Sequence, residues 1–167
     1  MYRNRSIPER YMTESRKQIV VCASGYMDVV HKGHIEYLER ARALGDKLIV
    51  IVNNDEQALL KKGFSFMTVE ERARILASLK CVDEVFISID KDRTVCQSLR
   101  AVKPDIFAKG GDTSISVGNI PESKVCEELS IRIVDGLGDK IQSSRWLFRE
   151  VKKKLETVDL KYLNEGM

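Results

Sequence analysis

Cys22-Ala23-Ser24-Gly25-Tyr26-Met27-Asp28-Val29-Val30-His31-Lys32-Gly33-His34 is the stretch from which the fold of this chain is read. The apolar run Ile19-Val20-Val21 precedes it and an amphipathic segment, Ile35 to Leu44, follows it. The stretch therefore reads as the turn between a first strand and a first helix. His31 and His34, the only two histidines of the chain, flank Gly33. With His34 in the first helical turn, both imidazoles face the positive end of the helix dipole, where anions bind. Their N–H groups suit phosphate oxygens, and Gly33 allows close backbone approach. The plainer alternative is a helix N-terminus carrying two solvated histidines.

Outward from that turn, strands and helices alternate. Gln18 to Ser24 reads as the first strand, nearly continuous in apolar residues, as in a parallel strand buried on both faces. The first helix stops near Gly45. Lys47 to Asn53 is the second strand, and Asn53-Asn54-Asp55 opens a loop or short helix ending at Lys61-Lys62-Gly63. Thr68 and Glu71 have capping-box spacing for a helix carrying Ile75, Leu76 and Leu79 on one side. Glu84 to Ile89 is the third strand, and a helix from Arg93 to Val102 ends before Pro104. Asp105 to Ala108 is the fourth strand, running into Lys109-Gly110-Gly111-Asp112. A helix from Pro121 to Leu129, a fifth strand from Ile131 to Val134 and a last helix capped by Ser143 or Ser144 complete the order. In that last helix Leu147, Val151 and Leu155 repeat every four residues opposite a basic face.

This alternation predicts an α/β fold: a doubly wound, Rossmann-like parallel sheet of five strands in order 3-2-1-4-5, with helices on both faces. Residues 1–17 read as a polar arm, 18–158 as one domain and 159–167 as a polar tail. Such sheets bind ligands at the carboxyl ends of strands where the strand order reverses, here between strands one and four. The loops carrying His31 and His34 and carrying Lys109 to Asp112 then face one crevice. Gly110-Gly111 exposes backbone N–H groups, or is a plain turn. There is no GxxxxGK[ST], and Gly136-x-Gly138 lacks the third glycine of a dinucleotide fingerprint.

Composition sets the outer bounds. The chain has 167 residues, 43% hydrophobic and 32% charged, which fits one globular domain. Its net charge of +3 is too small to imply nucleic-acid binding. No apolar run approaches the ~20 residues of a membrane span. Cys22, Cys81, Cys96 and Cys126 form no CxxC pair and lie in or beside apolar segments, as reduced core thiols of a cytoplasmic protein do.

Asp28-x-x-His31-x-Gly33-His34 resembles the HxGH signature of the nucleotidyltransferase (cytidylyltransferase-like) superfamily, whose usual stretch is G-T-F-D-x-x-H-x-G-H. Tyr26 replaces the threonine and Met27 the phenylalanine. Lys109-Gly110-Gly111-Asp112 resembles the KGGD stretch of the branch that adenylylates heptose 1-phosphate. Leu44-Gly45-Asp46-Lys47-Leu48-Ile49-Val50, and Asn53-x-Asp55 followed by Lys62-Gly63, resemble the same branch. Ile141-Gln142-Ser143-Ser144-Arg145 resembles the ISTT or ISST motif that opens the final helix. The resemblance spans about residues 19 to 147.

The resemblance implies transfer of a nucleoside monophosphate, AMP from ATP, to a sugar phosphate such as heptose 1-phosphate, with release of pyrophosphate. His31, His34 and Lys62 are the implied catalytic residues, although Lys61 and Lys62 also read as solvated loop lysines. Ser24, Gly25, Tyr26, Met27, Asp28, Gly33, Lys109, Gly110, Gly111, Asp112, Ser143, Ser144 and Arg145 are the implied nucleotide-binding set. Asn53, Asp55 and Arg72, the last standing where the family has an acceptor-side arginine, are implied at the substrate. Mg²⁺ is expected with the triphosphate, bound largely through water. A homodimer without nucleic-acid or membrane partners is expected. A cytidylyltransferase for glycerol phosphate, a coenzyme adenylyltransferase and a non-catalytic nucleotide-binding module are the alternatives.

Overall fold

In a computed structural model, residues 16–111, 120–138 and 143–157 are described. Among them the elements run β1 (Val20–Gly25), α1 (Lys32–Arg42), β2 (Lys47–Val52), α2 (Asp55–Lys62), α3 (Val69–Ala77) and β3 (Glu84–Ile87). They continue as α4 (Cys96–Val102), β4 (Ile106–Gly110), α5 (Glu122–Glu128), β5 (Arg132–Leu137) and α6 (Ser144–Leu155). The five strands form one sheet in the order β3-β2-β1-β4-β5, with every neighbouring pair parallel. This is the predicted doubly wound sheet.

Successive residues of a strand point to opposite faces, so a strand covered on both sides must be apolar throughout. Along β1, Val21 and Ala23 enter one core while Cys22 enters the other. The first core is closed by Tyr37, Leu38 and Ala41 of α1 and by Val69 and Leu76 of α3. The second is closed by Leu99 of α4 and by Val125 and Cys126 of α5. Cys22, Cys81, Cys96 and Cys126 are all free thiols. No helix among the described residues is long and apolar enough to cross a membrane.

Local chemistry sets the element ends. Thr68 and Glu71 form the expected capping box on α3, and Asn54 with Gln57 forms a second on α2. Ser143, not Ser144, is the N-cap of α6, accepting from the Trp146 amide at 3.3 Å. The start of β1 is held by two carboxylates: Asp46 accepts from the Ile19 amide at 2.8 Å and Asp105 from that of Val20 at 2.9 Å. Arg16 and Lys17, assigned to the arm, pair with these same two aspartates. The rest of the arm, and the tail from residue 159, lie outside the described residues.

Several boundaries differ from the sequence expectation. β4 runs on through Lys109 and Gly110, because Gly110 pairs with Leu137 of a β5 that also extends beyond Val134. α4 begins at Cys96 rather than Arg93, since Asp92 folds a turn by accepting from the Thr94 amide at 2.8 Å. Ile75 does not share the buried side of α3: it is 39% exposed, against 0% for Leu76. The Leu147, Val151 and Leu155 repeat of α6 is not core either, for no residue of α6 is buried.

Candidate active site

The switch point between β1 and β4 opens into a cavity of about 680 Å³. Tyr37 of α1 holds its two walls together. Its hydroxyl donates to the Ala108 carbonyl of β4 at 2.8 Å and accepts from the Ser24 amide of β1 at 3.3 Å. Ser24, Gly25, Tyr26 and Met27 line the cavity from the end of β1, and His31, Gly33 and His34 from the start of α1. Lys62 of α2, Lys109, Gly110 and Gly111 at the end of β4, and Ser143, Ser144 and Arg145 at the start of α6 also line it. Residues eighty and more positions apart are thus brought to one crevice. Asp112 and the first two residues of the Ile141 to Arg145 motif lie outside the described residues.

His31 and His34 stack, with ring centroids 3.7 Å apart and planes 19° from parallel. His34 Nδ1 accepts from the His31 amide at 3.3 Å, so the proton of the neutral imidazole is assigned to Nε2. Burial, then the charges of His31 and Lys62, push the His34 pKa down to about 3. Burial lowers His31 as well. Both rings are therefore neutral near pH 7, able to donate an N–H without carrying a fixed charge. Nδ1 of His31 is buried and has no hydrogen-bond partner among the described residues.

Asp28 lies under this platform and does not line the cavity. It is fully buried, and its carboxylate accepts from the amides of Phe66 and Met67 at 3.0 and 2.9 Å and from Lys62 Nζ at 3.1 Å. Burial works to raise its pKa, but those two amides and the Lys62 ammonium outweigh burial and hold it below the usual carboxylate range. Lys62 also donates to the Asp28 carbonyl at 2.9 Å. Asp28 is thus the post to which the loop between α2 and α3 is tied, with Lys62 at the cavity edge.

The three residues expected at the substrate sit elsewhere. Arg72 is 0% exposed, the largest fully buried side chain described. Its guanidinium donates to the carbonyls of Tyr26 and Asn53 at 2.7 Å each, to that of Met67 at 3.1 Å and to Asp55 at 2.5 Å. Asn53 is buried too, its amide donating to Gln57 at 3.1 Å. Arg72 therefore cross-braces the loops after β1, β2 and α2; its donors are committed to protein groups, and none of the three residues lines the cavity. A family pattern marks such a position, but only burial separates a brace from a ligand.

The cavity wall also holds residues the sequence did not single out: Tyr37, Lys61, Leu137, Gly138, Trp146 and Arg149. Lys61 adjoins Lys62, and Arg149 lies one turn beyond Arg145, so helical spacing carried a signal for both. Nothing local marks Gly138. Its backbone has a φ of +85°, which favours glycine, and a Cβ on Gly111 would stand 2.2 Å from its carbonyl oxygen, so the two loops touch only because Gly111 has no side chain.

Charge on the wall has one sign. Lys61, Lys62, Lys109, Arg145 and Arg149 line it, and no Asp or Glu does so among the described residues. Burial, and then Lys62, Arg145, Lys109 and Arg93, lower the Lys61 pKa. No cluster of three metal-ligating side chains occurs among the described residues. Such a wall suits a polyanion.

Comparison with known proteins follows the same lines. The bifunctional protein HldE of Helicobacter pylori is 44% identical over 101 residues, 59% of this chain and 21% of that protein. The bifunctional protein HldE of Citrifermentans bemidjiense is 41% identical over 127 residues, 73% of this chain and 26% of that protein. The chain thus spans about a quarter of the length of these curated relatives. The crystal structure of a lipopolysaccharide core biosynthesis protein from Thermoplasma volcanium superposes with a TM-score of 0.64 at 29% identity, covering 75% of this chain and 99% of that one. Residues 22–153 match the sequence model of the cytidylyltransferase-like family, and the chain belongs to that family of nucleotidyltransferases.

Proposed function

We propose that the protein transfers AMP from ATP to a phosphorylated sugar of the heptose 1-phosphate kind, releasing pyrophosphate. The carrying observation is the cavity at the β1–β4 switch point, walled by cations, with two neutral histidines at one helix start and two serines at another. An oxygen of the acceptor's phosphate attacks the α-phosphorus, and the bond between that phosphorus and the bridging oxygen to the β-phosphate breaks. The acceptor phosphate is already anionic near pH 7, so no strong general base is required. His31 and His34 donate N–H groups to charge growing on the transferring phosphoryl group. Ser143, Ser144 and Arg145 hold the departing pyrophosphate at the N-terminus of α6, where unpaired amides and the helix dipole favour anions. Lys62, held at the rim by Asp28, adds charge there. Magnesium is carried by the triphosphate and would be held largely through water.

The preference for ATP rests on the resemblance of Lys109-Gly110-Gly111-Asp112 to the adenylylating branch. Measuring pyrophosphate release with ATP and with CTP, across sugar phosphates and glycerol phosphate, tests it. Faster release with CTP and glycerol phosphate would replace this reading by a cytidylyltransferase. A homodimer is part of the proposal: β3 is an edge strand, and Ile87 and Ile89 are exposed on and beside it. Sedimentation at micromolar concentration giving one species near 19 kDa would refute the dimer.

A further inference from the structure

One wall of the cavity is held less firmly than the others. α6 supplies Ser144, Arg145, Trp146 and Arg149 to that wall, yet none of its residues is buried. Among the described residues, one side-chain hydrogen bond ties it to the rest of the fold: the Ser144 hydroxyl donates to the Val29 carbonyl at 3.3 Å. One turn further on, the half-buried ring of Phe148 meets two others. It packs edge-on against Phe64, with centroids 5.4 Å apart, and at a tilt against Phe66, at 5.5 Å. Aromatic pairs attract at such separations. Phe64 and Phe66 are 45% and 62% exposed, on the loop between α2 and α3. That loop is itself tied down. The Phe66 and Met67 amides donate to Asp28, the Ser65 hydroxyl donates to the Met67 carbonyl at 2.7 Å, and Arg72 donates to the same carbonyl. The loop is thus a fixed post, and α6 is the element that leans on it.

We propose that Phe148 is a positioning residue for the triphosphate: by seating its ring on Phe64 and Phe66 it holds the N-terminus of α6 over the cavity, with Ser143, Ser144 and Arg145 in reach of the β- and γ-phosphates. On the nucleotidyl-transfer reading, on which this rests, the pyrophosphate end lies at α6. Phe148 itself does not line the cavity; it acts through the residues one turn before it. Asp28 holds Lys62 as well as the loop, so the three rings also set the spacing between Lys62 and Arg145. A helix docked only part of the time lends the site only that fraction of its affinity. Loosening the ring contact therefore weakens nucleotide binding without altering any group that lines the cavity.

The full chain carries its own reporter. Trp146 is its only tryptophan. It stands on α6 two residues before Phe148, and side chains two apart on a helix do not face each other. Removing the Phe148 ring therefore uncovers Trp146 only if the helix moves. In the absence of nucleotide, Phe148→Ala should make Trp146 fluorescence more readily quenched by acrylamide. Calorimetric titration of the same variant should show α,β-methylene-ATP weakened about tenfold, as for a docked fraction near one tenth, and AMP, which lacks the β- and γ-phosphates, weakened little. Phe148→Leu, which keeps an apolar contact, should fall between the parent and Phe148→Ala in both measurements. Phe64→Ala combined with Phe66→Ala should reproduce the loss, and adding Phe148→Ala to that pair should add little, because all three rings act through one contact. Unchanged quenching or unchanged α,β-methylene-ATP affinity in Phe148→Ala, equal loss of AMP and α,β-methylene-ATP, or additive losses in the triple variant would overturn the proposal. If the parent fails to bind α,β-methylene-ATP while quenching still follows Phe148, the seating of α6 by the three rings stands and the transfer reading falls.

Discussion

Replacing Arg72 with Met distinguishes an internal brace from an acceptor ligand. The methionine fills much of the arginine's volume but donates no hydrogen bond. Three carbonyls, those of Tyr26, Asn53 and Met67, would lose the guanidinium donors they now accept from. Asp55, whose side chain is 39% exposed, can turn to water and adds little. At about 1–3 kcal/mol for each buried group left unsatisfied, the loss is about 3–6 kcal/mol once some water enters. That is a large part of the ~5–15 kcal/mol that holds an ordinary domain together. Urea unfolding followed by circular dichroism, with Arg72→Lys as a second variant, reads this directly. Lysine keeps the charge but has one nitrogen in place of three, so it should fall between parent and Arg72→Met. A variant whose unfolding midpoint matches the parent, with only the acceptor KM raised, would refute the brace and return Arg72 to the substrate.

Three further outcomes are expected. His31→Ala and His34→Ala should each lower kcat about 10²–10³-fold, the usual loss of one donor to developing charge, while the melting midpoint reports a change of only about 1 kcal/mol; a collapsed melting transition in both would make the histidines structural. Stability should fall in acid: His34 has a folded pKa of about 3 against about 6.5 unfolded, so the unfolded chain binds the proton first, and the stability present above pH 6.5 drops by roughly 2 kcal/mol by pH 5. The lowered Asp28 pKa adds a loss in the same direction at still lower pH; His34→Asn should flatten the pH 5–6.5 part of the curve, and an unchanged slope would refute its assignment to His34. Gly111→Ala should abolish nucleotide binding measured by calorimetry, because the methyl would meet a backbone oxygen at 2.2 Å that no rotamer change can move; binding at parental affinity would show that the two loops separate freely.

The sheet was legible before any coordinates because its physics is local. A strand buried on both faces must be apolar at every position, as Val20 to Ala23 and Leu48 to Val52 are, and caps such as Thr68 with Glu71 announce themselves by spacing. The histidine turn, the glycine pair and the serine pair were legible for the same reason: each is a short pattern with its own context, and the strand order then fixed where the first two must meet. What the sequence left undecided is which polar residues spend their hydrogen bonds inside the protein. Arg72, Asn53 and Asp28 are polar as Arg145, Ser144 and Lys62 are, yet the first three are buried and answered by protein groups, while the others reach the cavity. Burial depends on which loops pack together, and those loops are far apart along the chain: Arg72 meets Tyr26 across 46 positions, and Ser144 meets the Val29 carbonyl across 115. The same separation hid Tyr37, whose one hydroxyl joins β1 to β4, and Gly138, whose carbonyl leaves no room for a side chain on Gly111. Periodicity and spacing fix the elements and their order; the partner of each polar group is settled by long-range packing, and only the tertiary structure decided it.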